Sequence, residues 1–265
     1  MRHGARRAGG VAALLLLVCA GGANADRPDD PFRARGVEGA FALLETASGK
    51  LTVVNRRLAR RRFFPCSTFK IANTLVGLET GVIPDEHFSQ RWDGVDRGRP
   101  EWNRDQDLAS AMKFSVVWFY QEVARRIGRE RMSRWVRKLR YGNRDISGAI
   151  DGFWLLGPLA ISPLEQVDFM RRLRAGELPV TAAHAALVLR LIELERGDGW
   201  VFHGKTGQCR QDRHSIGWLV GSVDRGGAVW TYALFVRGTS ADAIATMRRP
   251  LAEELLRRHG VLPPR

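Results

Sequence analysis

The chain has 265 residues, and 42 Lys and Arg against 28 Asp and Glu leave a formal charge of +14. An apolar share of 45%, with eight Trp and 12 Phe, excludes a disordered basic tail, because that much apolar surface collapses into a packed core. Only five of the cations are lysines, Lys50, Lys70, Lys113, Lys138 and Lys205, so the charge is carried almost entirely by arginine.

In chain order, Arg2, Arg6 and Arg7 precede an apolar run over 11–20 and the small-x-small triplet Ala23-Asn24-Ala25. This is the pattern of a secretory signal peptide cleaved after Ala25, which places residues 26–265 in the periplasm with a charge of +11. The run is about half of what a membrane span requires, and Val18 stands where a lipidated Cys19 would want a small neighbour, so no stable membrane anchor is expected. Cys66 and Cys209 then remain in an oxidising compartment, either as two buried thiols or as one bridge.

Residues 39–45 and 51–55 are β-prone runs around a Ser48-Gly49-Lys50 turn, and 214–223 and 229–236 form a second hairpin through 224–227. Between the hairpins the 3.6-residue period predicts helices over 67–79 (ending at Gly81), 108–113, 116–127, 129–139, 163–173 (after Ser162 as N-cap) and 181–194. A last helix runs from about 240 to 258. The fold class is α+β: one antiparallel sheet built from both ends of the chain and flanked by helices, with a helical insert over about 82–195.

A basic chain raises the question of nucleic acid or another anionic polymer, since clustered Arg neutralises phosphates. The stretch over 125–140, however, interleaves its arginines with Ile127, Met132, Trp135, Val136 and Leu139 at helical spacing, which is an amphipathic helix with a solvated Arg face. No zinc-finger, RNP or Gly-Lys loop pattern accompanies the charge, so no nucleic-acid partner is expected. His87, His184, His203, His214 and His259 form no metal-ligand spacing, so no metal is expected, and His203 is taken as a solvated strand end.

Four short motifs carry chemistry. In Ser67-Thr68-Phe69-Lys70 the lysine projects one turn above the serine on the same helical face, so a base can touch a nucleophile that is too weak without one. By composition about 0.2 such S-x-x-K matches arise by chance, so the other motifs must decide. They are Ser115-Val116-Val117, Tyr141-Gly142-Asn143 and Lys205-Thr206-Gly207, the last lying on the approach to the C-terminal strands. Lys205 supplies charge there, and Thr206 and Gly207 supply a hydroxyl and a bare backbone along which an extended ligand can lie.

In this order the motifs resemble those of the class D serine β-lactamases, the oxacillinases. The likeness extends to Trp92-Asp93-Gly94, Trp102-Asn103-Arg104-Asp105, Gly152-Phe153-Trp154-Leu155 and Ile161-Ser162-Pro163 with Glu165-Gln166, and covers the chain from about Gly39 to its end. The related S-x-x-K, S-D-N, K-T-G set of class A enzymes and penicillin-binding proteins carries Asn where Val117 stands.

The resemblance implies a hydrolase of β-lactam antibiotics that works through an acyl-enzyme on Ser67. It implies no separate cofactor, only a carbon dioxide-derived carbamate on Lys70 as general base. Trp154 would donate its indole N–H to that carbamate, with Phe69, Val117 and Leu155 as an apolar wall. Ser115 would relay a proton to the leaving nitrogen under the influence of Lys205, and the backbone N–H groups of Ser67 and Gln208 would hold the oxyanion. The carboxylate of a small-molecule β-lactam would meet Lys205, Thr206 and an arginine of the last helix, Arg248 in preference to Arg249, with Trp102 and Val116 as cleft walls and Tyr141 and Asn143 shaping the site. A cysteine before the serine and another four residues after the K-T-G lysine form a disulfide in carbapenem-hydrolysing class A enzymes, which implies a Cys66–Cys209 bridge here. The alternatives are a penicillin-binding peptidase or β-lactam sensor that is acylated but turns over slowly, and, more distantly, an anionic-polymer binding module.

Overall fold

A computed structural model describes residues 30–264; the expected signal peptide and its cleavage point lie outside the described residues. The hairpin of β1 (Glu38–Glu45) and β2 (Leu51–Val54) is followed by a short helix α1 (Arg56–Ala59), a 3-10 turn (Cys66–Phe69) and helix α2 (Lys70–Glu79). A two-stranded ribbon of β3 (Ser89–Gln90) and β4 (Gln106–Asp107) precedes α3 (Leu108–Lys113), α4 (Val117–Ile127) and α5 (Arg129–Lys138). A long loop leads to α6 (Pro163–Arg174) and α7 (Ala182–Leu191). The chain closes with β5 (Glu193–Gly197), β6 (Trp200–Gln211), β7 (His214–Arg225), β8 (Ala228–Gly238) and α8 (Ala241–Arg258).

Six strands form one antiparallel sheet in the order β2-β1-β8-β7-β6-β5, so the N-terminal hairpin pairs with the last strand of the chain. The β7–β8 turn is Gly226-Gly227, both at positive φ, the combination a two-residue type I′ hairpin requires. Alternation along the strands sends side chains to two cores. On one face Val220, Trp218, Ile216 and Phe235 pack with the helices α2 to α7; on the other Leu219, Val223, Leu234 and Val236 pack with Ile244, Leu251 and Leu255 of α8. Helix α2 runs through the first core with every residue from Lys70 to Leu78 buried, so its polar side chains, Lys70, Asn73 and Thr74, find their hydrogen-bond partners inside the protein. Helix α6 starts at a reciprocal capping box, Ser162 Oγ accepting from Glu165 N and Glu165 from Ser162 N, with Pro163 in its first turn.

Two sequence expectations need correction. The helix expected over 181–194 ends at Leu191, and Glu193 already pairs with β6; the apolar spacing Leu187, Leu191, Leu194 satisfied a helical period, while Glu193-Leu194-Glu195 equally satisfies a strand. The segment 200–211, read only as the approach to the C-terminal strands with His203 at a strand end, is itself a strand that pairs with β7 along twelve residues; Gly204, Lys205 and Gly207 interrupt the apolar alternation that marks a strand. Its glycines are there for close approach: a Cβ on Gly204 would lie 2.6 Å from Leu194 Cδ1 and 2.8 Å from the Tyr232 hydroxyl.

Candidate active site

The nucleophile turn is tied to its surroundings on three sides. Pro65 leads into Cys66, whose φ of +50° is a strained left-handed conformation for a side-chain-bearing residue. The Cys66 N–H donates to Trp154 O (2.9 Å), the Phe64 N–H to Gln211 Oε1 (3.1 Å), and Trp218 Nε1 to Phe64 O (2.9 Å). Thr68 is turned inward, its hydroxyl donating to Pro65 O (2.7 Å) and accepting from Gln166 Nε2 of α6 (2.8 Å). Cys66 and Cys209 are bonded, with Cα atoms 5.6 Å apart, and join this turn to β6 across 143 residues of chain.

Within this frame Lys70 Nζ donates to Ser67 Oγ at 2.9 Å. The serine lies in the 3-10 turn, and the α-helix proper begins at Lys70, one turn later than expected. Lys70 is fully buried, and desolvation lowers its pKa from 10.5 to about 7. A second pair faces the first: Lys205 Nζ donates to Ser115 Oγ at 2.9 Å and to Thr206 O at 2.8 Å. Ser115 sits at φ +56° in the sharp link between α3 and α4, so its hydroxyl too is presented from strained backbone. Burial, then the charges of Lys70 and Arg248, push Lys205 well below the ordinary lysine range.

The two pairs meet because β6 slides close under the nucleophile turn. A Cβ on Gly207 would meet Thr68 Cγ2 at 2.9 Å and Pro65 O at 3.0 Å, a distance that only glycine tolerates. Strand β5 pairs with β6 only as far as His203, so from Lys205 onward β6 is an open sheet edge beside Ser67. An extended ligand can be received on such an edge. Lys205, Gly207 and Cys209 point toward the helical face, whereas Thr206 and Gln208 alternate toward α8.

On α8 the two neighbouring arginines part company. Arg248 Nη1 reaches Gln208 Oε1 (2.6 Å) and Gly207 O (3.3 Å), and burial lowers its pKa, with the charge of Arg99 adding to the effect. Arg249 turns to Glu253 (2.8 Å) and Glu195 (3.6 Å), away from the K-T-G segment. The Gln208 side chain also donates to Ala241 O (2.8 Å), a bracing role that its sequence position did not suggest.

The loop between Tyr141 and Ser162 closes the site from the other side. Tyr141, Gly142 and Asn143 are structural: the Tyr141 ring stands edge-on to Phe69, a Cβ on Gly142 would strike Ala160 O, and Asn143 accepts from Ala160 N and donates to Pro158 O. Trp154 stacks on Phe69, with centroids 5.6 Å apart. Its fully buried indole N–H finds no hydrogen-bond partner among the described residues, which is costly enough to mark a site for an acceptor. Leu155 packs half-buried against the same core, and Val117 opens α4.

Trp102 is half-buried; its indole donates to Phe114 O (3.0 Å), which braces the residue before Ser115. Val116 is wholly buried in the core and lines no cleft, because the chain reverses at Ser115. His203 is likewise not a solvated strand end: β5 covers it, and its Nδ1 lies 3.4 Å from both Ser222 Oγ and Asp224 Oδ2. One residue escaped the motifs altogether. Tyr120, three positions after Val117 on α4, places its ring under Lys70 Nζ, 5.3 Å from the centroid.

Comparison with known proteins agrees with this geometry. The family described as penicillin binding protein transpeptidase domain matches residues 28–257. The probable β-lactamase YbxI of Bacillus subtilis is 40% identical over 234 residues, covering 88% of this chain and 85% of that protein. The chain belongs to the class D β-lactamase family. β-Lactamase OXA-48 of Klebsiella pneumoniae is 39% identical over 209 residues, 79% of this chain and 78% of its own length. The crystal structure of a class D β-lactamase from Nostoc superposes with a TM-score of 0.85 at 36% identity, covering 88% of this chain and 98% of that one. As a member of this family the chain is a hydrolase, and its sheet with flanking helices is the family's fold.

Proposed function

We propose that the protein hydrolyses β-lactam antibiotics through an acyl-enzyme on Ser67. The observation that carries this reading is the 2.9 Å contact between Ser67 Oγ and a lysine that burial has brought to a pKa of about 7. A base poised near ambient pH can take the proton of a hydroxyl that is otherwise a poor nucleophile.

The Lys70 environment also fits a carbamate. Desolvation supplies the neutral amine that carbon dioxide requires, the unpartnered Trp154 indole N–H is a ready donor, and buried Phe69 stacks on that indole as an apolar wall. When formed, a carbamate on Lys70 supplies a carboxylate-like base for the proton of Ser67 and for that of the deacylating water.

The remaining roles follow from position. Ser67 Oγ attacks the lactam carbonyl carbon, and the oxyanion is received between the backbone N–H groups of Ser67 and Gln208, a reading supported by the close approach of Gly207 to Pro65 and Thr68. The C–N bond breaks, and the nitrogen takes the proton of Ser115, which Lys205 replaces across their 2.9 Å hydrogen bond. The substrate carboxylate lies along the open edge of β6 against Thr206 and Arg248, and Lys205 adds charge. The proton taken from Ser67 makes good the one that Lys205 gave, so the base is free to take a proton from water. The water oxygen then attacks the ester carbonyl, the Ser67 Oγ–acyl bond breaks, that proton returns to Ser67 Oγ, and the acid is released. The N-terminal pattern adds that this takes place in the periplasm after cleavage at Ala25.

Steady-state turnover of a chromogenic β-lactam tests the proposal, with and without bicarbonate and with Ser67→Ala as control. Many turnovers per enzyme, stimulated by bicarbonate and abolished in the variant, are expected. A single stoichiometric burst would place the protein with the slowly deacylating penicillin-binding proteins instead.

A further inference from the structure

Beneath Lys70 lies a polar chain that the motifs do not contain. Thr74, one turn after Lys70 on α2, has its hydroxyl 2.8 Å from Lys70 O and 3.1 Å from the hydroxyl of Tyr120. A hydroxyl has one proton, and Thr74 spends it on the Lys70 carbonyl, so in this contact Tyr120 is the donor, the hydroxyl oxygen at 3.1 Å being a better acceptor for its single proton than the weak thioether sulfur of Met112 at 3.8 Å. Tyr120 is held from its main chain as well, since Asn73 Nδ2 donates to Tyr120 O at 3.1 Å. All four residues are buried. A phenylalanine would fill the same volume without any of the hydroxyl contacts, so the tyrosine and the threonine are legible as a pair.

We propose that Tyr120 is a positioning residue for the base: the chain from Tyr120 hydroxyl to Thr74 hydroxyl to Lys70 carbonyl clamps an aromatic face 5.3 Å from Lys70 Nζ, and this face favours the ammonium form of Lys70. The inference rests on the reading of Lys70 as the base of the reaction. Its consequence is a balance. Burial alone drives the ammonium toward the neutral amine, and the ring face opposes it, which leaves the lysine a stronger base than burial alone would. The other groups facing Lys70 are Ser67, which accepts its hydrogen bond, and Lys205 on β6, whose charge interacts with it and is itself depressed by Arg248 on α8. Among the described residues no carboxylate acts on Lys70.

Five lysines in the whole chain make the test direct: with 15N-labelled lysine, the Nζ of Lys70 can be titrated by NMR in carbon dioxide-free buffer, alongside the acidic limb of kcat/KM with bicarbonate. Tyr120→Leu is expected to lower both midpoints by about one pH unit. Tyr120→Phe and Thr74→Val are each expected to lower them by less, and the double variant no further than the larger single, because both break one chain. Thr74→Ser, which keeps the hydroxyl, is expected to titrate like the parent. The proposal is overturned if Tyr120→Leu folds and its midpoint does not move. It is equally overturned if the Phe and Val shifts add, or if Thr74→Ser behaves as Thr74→Val; these three variants decide the matter should Tyr120→Leu not fold. Full turnover by Lys70→Ala would refute the assignment of the base itself, an outcome separate from an unmoved Tyr120 titration.

Discussion

Gly207→Ala puts the central geometric claim at risk with one methyl group. Gly207 has ordinary extended backbone, so alanine is conformationally permitted, and by lowering the entropy of the unfolded chain it should stabilise by about 0.4–1 kcal/mol if space allowed. Space does not allow it: the new Cβ would meet Thr68 Cγ2 at 2.9 Å, Pro65 O at 3.0 Å and Thr68 N at 3.2 Å. Two of these are backbone atoms. The third could move only if Thr68 rotated, which would break its hydrogen bonds to Pro65 O and Gln166. Relief therefore requires β6 to retreat by about 0.5 Å, against an overpacking cost of about 1–3 kcal/mol. The expected net result is a loss of about 1 kcal/mol or more, read in urea denaturation or as a fall in Tm of a few degrees. The same retreat separates the Gln208 N–H from Ser67 and should lower kcat/KM by at least about tenfold. A variant with a raised Tm and parental kcat/KM would show that β6 does not seat against the nucleophile turn.

Arg248→Ala should raise KM for an anionic β-lactam about tenfold or more with a smaller effect on kcat, whereas Arg249→Ala should leave KM unchanged and lower Tm, because it removes a partner of the buried Glu253. Equal effects of the two on KM would contradict the assignment. Lys70→Met should stabilise the fold in acid. Between a folded-state pKa of about 7 and the unfolded value of 10.5 the unfolded chain holds a proton that the native state does not, so the parent gains stability as pH rises through that window and carries the full desolvation cost below it. The variant's Tm at pH 6 should exceed the parent's, with the gap closing toward pH 10; a lower Tm at pH 6 would mean that Lys70 is not desolvated.

Local order in the chain determined much of this protein. The spacing of Ser67 and Lys70 brings them together through one helical turn, and the hairpins around 46–50 and 226–227 follow from turn chemistry, because these are interactions between residues close in sequence. The Cys66–Cys209 pairing was reached through a likeness to other enzymes, and no local rule supplies it. What only the tertiary structure decided involves residues far apart in sequence. Lys205 finds Ser115 across 90 positions, and Arg248 is separated from Arg249 by which side of α8 meets β6. His203 proves buried only once β5 has paired over it. The strand bearing Lys205 was invisible to periodicity because its glycines answer to contacts with Thr68, Leu194 and Tyr232 in other segments. Tyr120 sits in an apolar stretch of α4 like any core aromatic, and only the packing of α4 against α2 turns its ring toward Lys70. Periodicity reports which face of an element is buried; the partner that buries it is set by the whole fold.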